Sequence, residues 1–135
     1  MGPKAMARAA RWADGVSGFS IAGDVGEMAA NFRLAEQAWT DAGRSSAPRR
    51  VSGCFYVLDE DDDRAQATLQ GFVQRYLTIF GAEIAEQMAA TCRIASPASL
   101  QAVLDGAAEA GCDEFVLVPG TVDLDCLHRT TALLG

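Results

Sequence analysis

Three features of this sequence carry residue types that do chemistry: Gly2-Pro3-Lys4, the acidic run Asp59–Asp63, and four cysteines accompanied by a single histidine, His128. A glycine at the mouth of a helix lets backbone N–H groups approach an anion, and the helix dipole favours negative charge there. Pro3 suits a first helical turn, where its missing N–H is no loss. Lys4 places a cation where the dipole alone favours an acid. Gly2, Pro3 and Lys4 are therefore the candidate phosphate-binding residues, set against an ordinary helix start with a solvated lysine.

The acidic run has a different reading. Asp59, Asp61 and Asp63 alternate like the first ligands of an EF-hand loop. But Arg64 stands where that loop needs glycine, and Gln70 where its closing glutamate belongs. A solvated loop with acids at a helix N-terminus fits better, and calcium is rejected. Cys54, Cys92, Cys112 and Cys126 form no C-x-x-C pair, so neither a structural zinc site nor a disulfide framework is expected. Cys54 and Cys112 read as small buried hydrophobes. Trp12 and Trp39 read as core or helix-packing residues, and His128 as a surface or packing residue. The nucleophile elbow, the dinucleotide fingerprint and the Walker loop are absent, and catalytic residues are not assignable.

Periodicity supplies the elements that position these residues. Met6, Ala9, Ala10 and Ala13 predict a helix over 3–12, and a strand follows at 14–21. Val25, Met28, Phe32, Ala35, Trp39 and Ala42 step by three and four along the next helix. Asp24 and Glu27 mark its start and Gly43 its stop. A second strand at 50–58 is continuously apolar in "CFYVL", as expected for burial on both faces. A third helix follows the acids and is interrupted at Gly81, with a further helical piece in "AEIAEQMAAT". Ser96, Pro97 and Gly111 delimit another helix, "CDEFVLVPG" is the third strand, and "DLDCLHRTTALL" closes the chain as a helix. Strands alternating with amphipathic helices mean an α/β fold with a parallel sheet. Three strands make that sheet narrow, with both edges open.

Bulk properties narrow the function. The 135 residues fit one ordinary domain, read as a single segment 1–135, and half of them are apolar. A formal net charge of −7 argues against nucleic-acid or anionic-membrane partners. Signal-sequence and membrane-span patterns are missing, and the Met-Gly start matches myristoylation poorly, so a cytoplasmic location is expected.

At this point the order of elements and two motifs converge on a family. "GPKAMARAARWADGVSGF" resembles the phosphate-loop segment of the luciferase-like, flavin-dependent monooxygenase superfamily, whose pattern is G-P-x-x-x-x-x-A-x-x-x-A-D-G. Gly2, Pro3, Ala9, Ala13, Asp14 and Gly15 match it. "ASPASLQAVLDGAAEAGCDEFVLVPG" is similar to the family's last unit, with Ala95 in place of the usual glycine and Ser99 in place of an acid. The resemblance spans the chain but only the C-terminal part of the family's (β/α)8 TIM-like barrel, which typically needs about 250 residues.

The resemblance implies that the three strands are the last of the barrel and that Gly2 belongs to a phosphate-binding turn whose strand precedes it. It implies FMN, or the deazaflavin coenzyme, with its phosphate at Gly2, Pro3 and Lys4. Loops near Ser20–Gly23, Asp59–Asp63 and Pro119–Thr121 would line the barrel mouth. The implied activity is a flavin-dependent oxidoreductase or monooxygenase acting on a small organic substrate. The alternative is a non-catalytic truncated α/β module that oligomerises through open sheet edges. Either way the exposed edges predict a homo-oligomer, or a partner supplying further barrel strands.

Overall fold

Strand β2 (Arg49–Tyr56) is the middle of a three-stranded sheet, between β1 (Gly15–Phe19) and β3 (Glu114–Pro119). The computed structural model describes residues 2–135. The helices are α1 (Pro3–Ala9), α2 (Val25–Asp41), α3 (Asp62–Tyr76), α4 (Ala82–Thr91), α5 (Pro97–Glu109) and α6 (Leu124–Leu134), with a 3-10 turn at Thr78–Phe80. β1 pairs β2 in parallel, from Gly15 opposite Arg49 to Phe19 opposite Gly53. Asp113 N–H donates to Arg50 O and Gly120 N–H to Tyr56 O, so β3 runs the same way along β2. The last five residues of β2 are buried, as its unbroken apolar run predicts for a central strand. The flanking strands alternate: Val16 is buried while Ser17 and Phe19 are exposed, and Glu114 and Val116 are exposed on β3.

The chain divides into two compact units. The first comprises the residues up to Ser20, with 24–53 and 104–116; the second comprises 21–23, 54–103 and 117–135. In the first unit, Met6 and Ala10 pack with Val16, Ala35 and Trp39 in one buried cluster. Met6, Ala10, Ala35 and Trp39 are apolar positions that helical periodicity singles out. Asp24 caps α2 by accepting from Glu27 N–H, and the helix ends in a Schellman motif. Arg44 N–H donates to Trp39 O, and Gly43, at φ 70°, donates to Thr40 O.

In the second unit, Leu69, Val73 and Leu77 are buried with Ala85, Ala89 and Leu100. Phe55 meets Phe72 and Tyr76 edge-on, each at 5.1 Å between ring centres. The Ser96 cap of α5 is reciprocal: Ser99 N–H donates to Ser96 Oγ at 3.2 Å, and Ser96 N–H to Ser99 Oγ at 3.0 Å. Ser99 thus does the work of the acid that a capping box places three residues on.

Several expectations are corrected. α1 ends at Ala9 because Arg11 and Trp12 donate to Arg8 O and Ala9 O, tightening the chain into an exit turn. Trp12 stands on that turn at 75% exposure, so it is no core residue. Cys54 is buried, but Cys112 is only half-buried: it follows the αL turn at Gly111, where the chain enters the sheet. The third helix ends at Tyr76 rather than running on to Gly81, because Thr78–Phe80 tighten into the 3-10 turn, while the further helical piece is α4 as read.

Candidate functional site

In parallel α/β folds, ligands bind where strands end at their carboxyl termini, because the loops there are free to carry polar groups. In the second unit, β2 leads through Val57 and Leu58 into Asp59, and β3 leads through Gly120 into Thr121. A polar hollow of about 310 Å³ lies there, bordered by Asp59, Glu60, Arg64, Asp123 and Arg129. A hollow of about 240 Å³ shares Asp59 and Arg64 and adds Thr68 and Thr121.

Asp59 is held on all sides. Arg64 Nε donates to Asp59 Oδ2 at 2.8 Å, and Arg64 Nη2 donates to Oδ1. Glu60 N–H also donates to Oδ1, at 2.6 Å, and Asp61 N–H at 3.3 Å. The Arg64 guanidinium, helped by these amides, holds the Asp59 carboxyl down at about 2. With its lone pairs engaged and its proton lost, Asp59 is a clamp on the loop rather than a general base. Glu60 extends the chain of charges to Arg129 at 3.7 Å.

Beneath the hollow the groups are buried and satisfied. Leu58 N–H donates to Cys126 Sγ at 3.3 Å, and Thr130 Oγ1 donates to Cys126 O and is bonded to Tyr56 Oη at 2.9 Å. Burial pushes the Tyr56 phenol up, and pushes the Cys54 thiol up to about 12. Neither is poised as a nucleophile or a base at neutral pH.

In the first unit, the carboxyl end of β1 leads to Ser20, which is 2% exposed. Ser20 Oγ donates to Glu27 Oε2 and accepts from Asp24 N–H, both at 2.9 Å, tying the loop to the start of α2. At the opening of α1, Gly2 is the N-cap, with extended backbone at φ −86°. Ala5 and Met6 N–H both donate to Gly2 O, and Pro3 has none, leaving at most the Gly2 and Lys4 amides for an anion. That helix mouth has no side-chain cap and no acid in its first turn. Gly2, Pro3 and Lys4 are all exposed.

The structure thus brings Asp59 and Thr121, from two of the expected mouth loops, around one hollow of the second unit. It places Gly2–Lys4 in the first unit, on the uncapped start of α1. Arg64 and Arg129 border the hollow and were not singled out from the sequence; the only signal was an arginine five residues after Asp59, just past a helix cap. Asp61 is that cap, accepting from Asp63 and Arg64 N–H, which explains the acidic run. His128 is exposed, 3.6 Å from Asp125. Among the described residues, no helix is long and apolar enough to cross a membrane.

No family model and no curated protein matches this sequence. Solved structures do match its fold. An F420-dependent secondary alcohol dehydrogenase, in complex with an F420-acetone adduct, superposes with a TM-score of 0.71 at 16% identity over 100% of this chain. Monooxygenase RslO1 from Streptomyces bottropensis gives 0.63 at 17% over 98%. The fold is that of part of a TIM-like barrel. A third neighbour, the coenzyme F420 dependent tetrahydromethanopterin reductase from Methanopyrus kandleri, gives 0.59 at 18% over 87%. The chain spans less than half of each neighbour: 47%, 43% and 42% of their lengths.

Proposed function

We propose that this chain forms the cofactor-phosphate side of a luciferase-like oxidoreductase or monooxygenase, the C-terminal part of its barrel, that uses FMN or the deazaflavin coenzyme. The observation that carries this reading is the superposition of the entire chain on the F420-dependent secondary alcohol dehydrogenase. The match of Gly2, Pro3, Ala9, Ala13, Asp14 and Gly15 to the family's phosphate-loop pattern supports it from the sequence side.

The residues fit a phosphate. The start of α1 is uncapped and free of acids, and Lys4 is exposed beside it. A Cβ added at Gly2 would meet nothing within 4 Å, and its φ is open to any residue. The fold therefore does not require glycine there, whereas close approach of a phosphate oxygen to the backbone would. Gly2 and Lys4 would hold the phosphate, the first by its amide and the second by its ammonium group, while Pro3 fixes the first turn. The bound cofactor supplies hydride or oxygen chemistry, and the protein's share is to hold and orient it.

Calorimetric titration with FMN, riboflavin and coenzyme F420 tests the reading. Binding of a phosphate-bearing cofactor with little or no binding of riboflavin is expected, and Lys4→Ala should weaken it. Equal binding of FMN and riboflavin, or binding of no cofactor, overturns the phosphate-side role. Unchanged affinity in Lys4→Ala removes that residue from the site.

A further inference from the structure

We propose that this chain self-associates head to tail, the apolar corner at Ile79 and Phe80 of one copy seating in the groove between α1 and α2 of another. The groove follows from small residues at helical spacing. Pro3 and Ala7 on α1 and Ala10 just after it step by four and three, and Leu34 and Ala38 line the other wall from α2, leaving a trough of about 630 Å³ with Arg11, Asp41 and Arg44 at its rim. Full-sized side chains at those positions would have filled it. Leu34 is 36% exposed on its wall.

The corner is the opposite shape. Ile79 is 85% exposed and Phe80 58%, at the 3-10 turn between α3 and α4, and Tyr76 and Ile84 flank them at 59% and 49%. Four large apolar side chains exposed within nine residues mark an interaction surface.

Charge selects a second copy as the occupant. Lys4, Arg8 and Arg11 lie on α1 and its exit turn, and residues 2–13 contain no acid. None of the three forms an ion pair among the described residues. The corner is acidic on its α4 side: Glu83 and Glu86 are exposed and likewise outside any ion pair among the described residues, Glu83 merely accepting from Gln87, with Arg75 on α3 the one base beside them. In a chain of net charge −7, copies repel generally but attract where basic α1 meets the acidic corner. Because groove and corner are different surfaces, the interface is heterologous.

Sedimentation velocity of the full chain over a range of concentrations and salt tests this. Concentration-dependent association that weakens several-fold at high salt is expected. Phe80→Asp and Leu34→Asp should each be monomeric alone yet form a 1:1 dimer when mixed, since one retains the groove and the other the corner. Arg11→Glu and Glu83→Arg should each weaken association several-fold, and both together on one chain should restore it. This pair stays informative if an apolar variant misfolds. A monomer at every concentration, association that survives Phe80→Asp, failure of the mixed variants to pair, or no rescue by the double charge swap overturns the proposal.

Discussion

Asp59 shows how a residue that looks chemical becomes structural. Its position after a central parallel strand is where a catalytic carboxylate would sit, yet Arg64 and the amides of Glu60 and Asp61 occupy both of its oxygens. A carboxyl held at about 2 when folded, against about 3.9 when unfolded, favours the folded state at every pH above its unfolded value. That contribution fades as pH falls from about 4 toward about 2. Asp59→Asn should therefore lower the thermal midpoint at neutral pH and show a shallower acid limb than the wild type. Melting curves from neutral pH down to about 2 check this. Parallel limbs would mean that the clamp adds nothing to the folded state. Asp113 follows the same logic, held down by hydrogen bonds from Arg50, so the comparison rests on the difference between variant and wild type.

Elements were legible in the sequence where local rules and burial agree. In the apolar stripe of α2, Met28, Phe32, Ala35 and Trp39 are buried as read, while Val25 is half-buried and Ala42, at the C-cap, is exposed; the Asp24 cap and the Gly43 stop stand because each depends on residues within one turn. The unbroken apolar run of β2 announced a central strand for the same reason. What failed lay at the ends of elements, where the chain leaves helical or strand spacing. Trp12 reads as a packing residue until the exit turn of α1 directs it to solvent, and no spacing rule reveals that Arg64 closes on Asp59. The start of α1 was legible from Gly2 and Pro3, the N-cap and the first helical residue. Glycines separate the two kinds of information. A Cβ at Gly15 would lie 2.3 Å from Arg49 O, where β1 and β2 begin their pairing. Gly15→Ala should cost roughly 2 kcal/mol through overpacking. Gly2→Ala should leave stability unchanged, since nothing lies within 4 Å of the new methyl. Urea denaturation of both variants decides the matter: a marked loss at Gly2 would make it a folding glycine and remove the support it gives to a phosphate site.

For the whole molecule, the governing fact is a parallel sheet of three strands whose fold neighbours are more than twice as long. A closed barrel has no sheet edge and fills its interior with side chains from every strand. Here Phe19 on β1 and Val116 on β3 are 39% and 42% exposed. A side chain at Gly53, between them on β2, would begin 3.1 Å from each, so the two lie over the same face of the sheet. That apolar face corresponds to the one a complete barrel encloses, and in the chain alone it meets water. A hydrophobic dye such as anilinonaphthalene sulfonate should therefore fluoresce with the folded chain at neutral pH. The double variant Phe19→Ser, Val116→Ser should reduce that signal by roughly half or more. Its thermal midpoint should change little, because exposed side chains contribute little burial to lose. A signal that persists in the double variant would place the exposed apolar surface elsewhere, with the Ile79–Phe80 corner the next region to substitute. A large fall in the midpoint would show instead that the two side chains are already covered, by strands of a second copy or by closure of the sheet on itself.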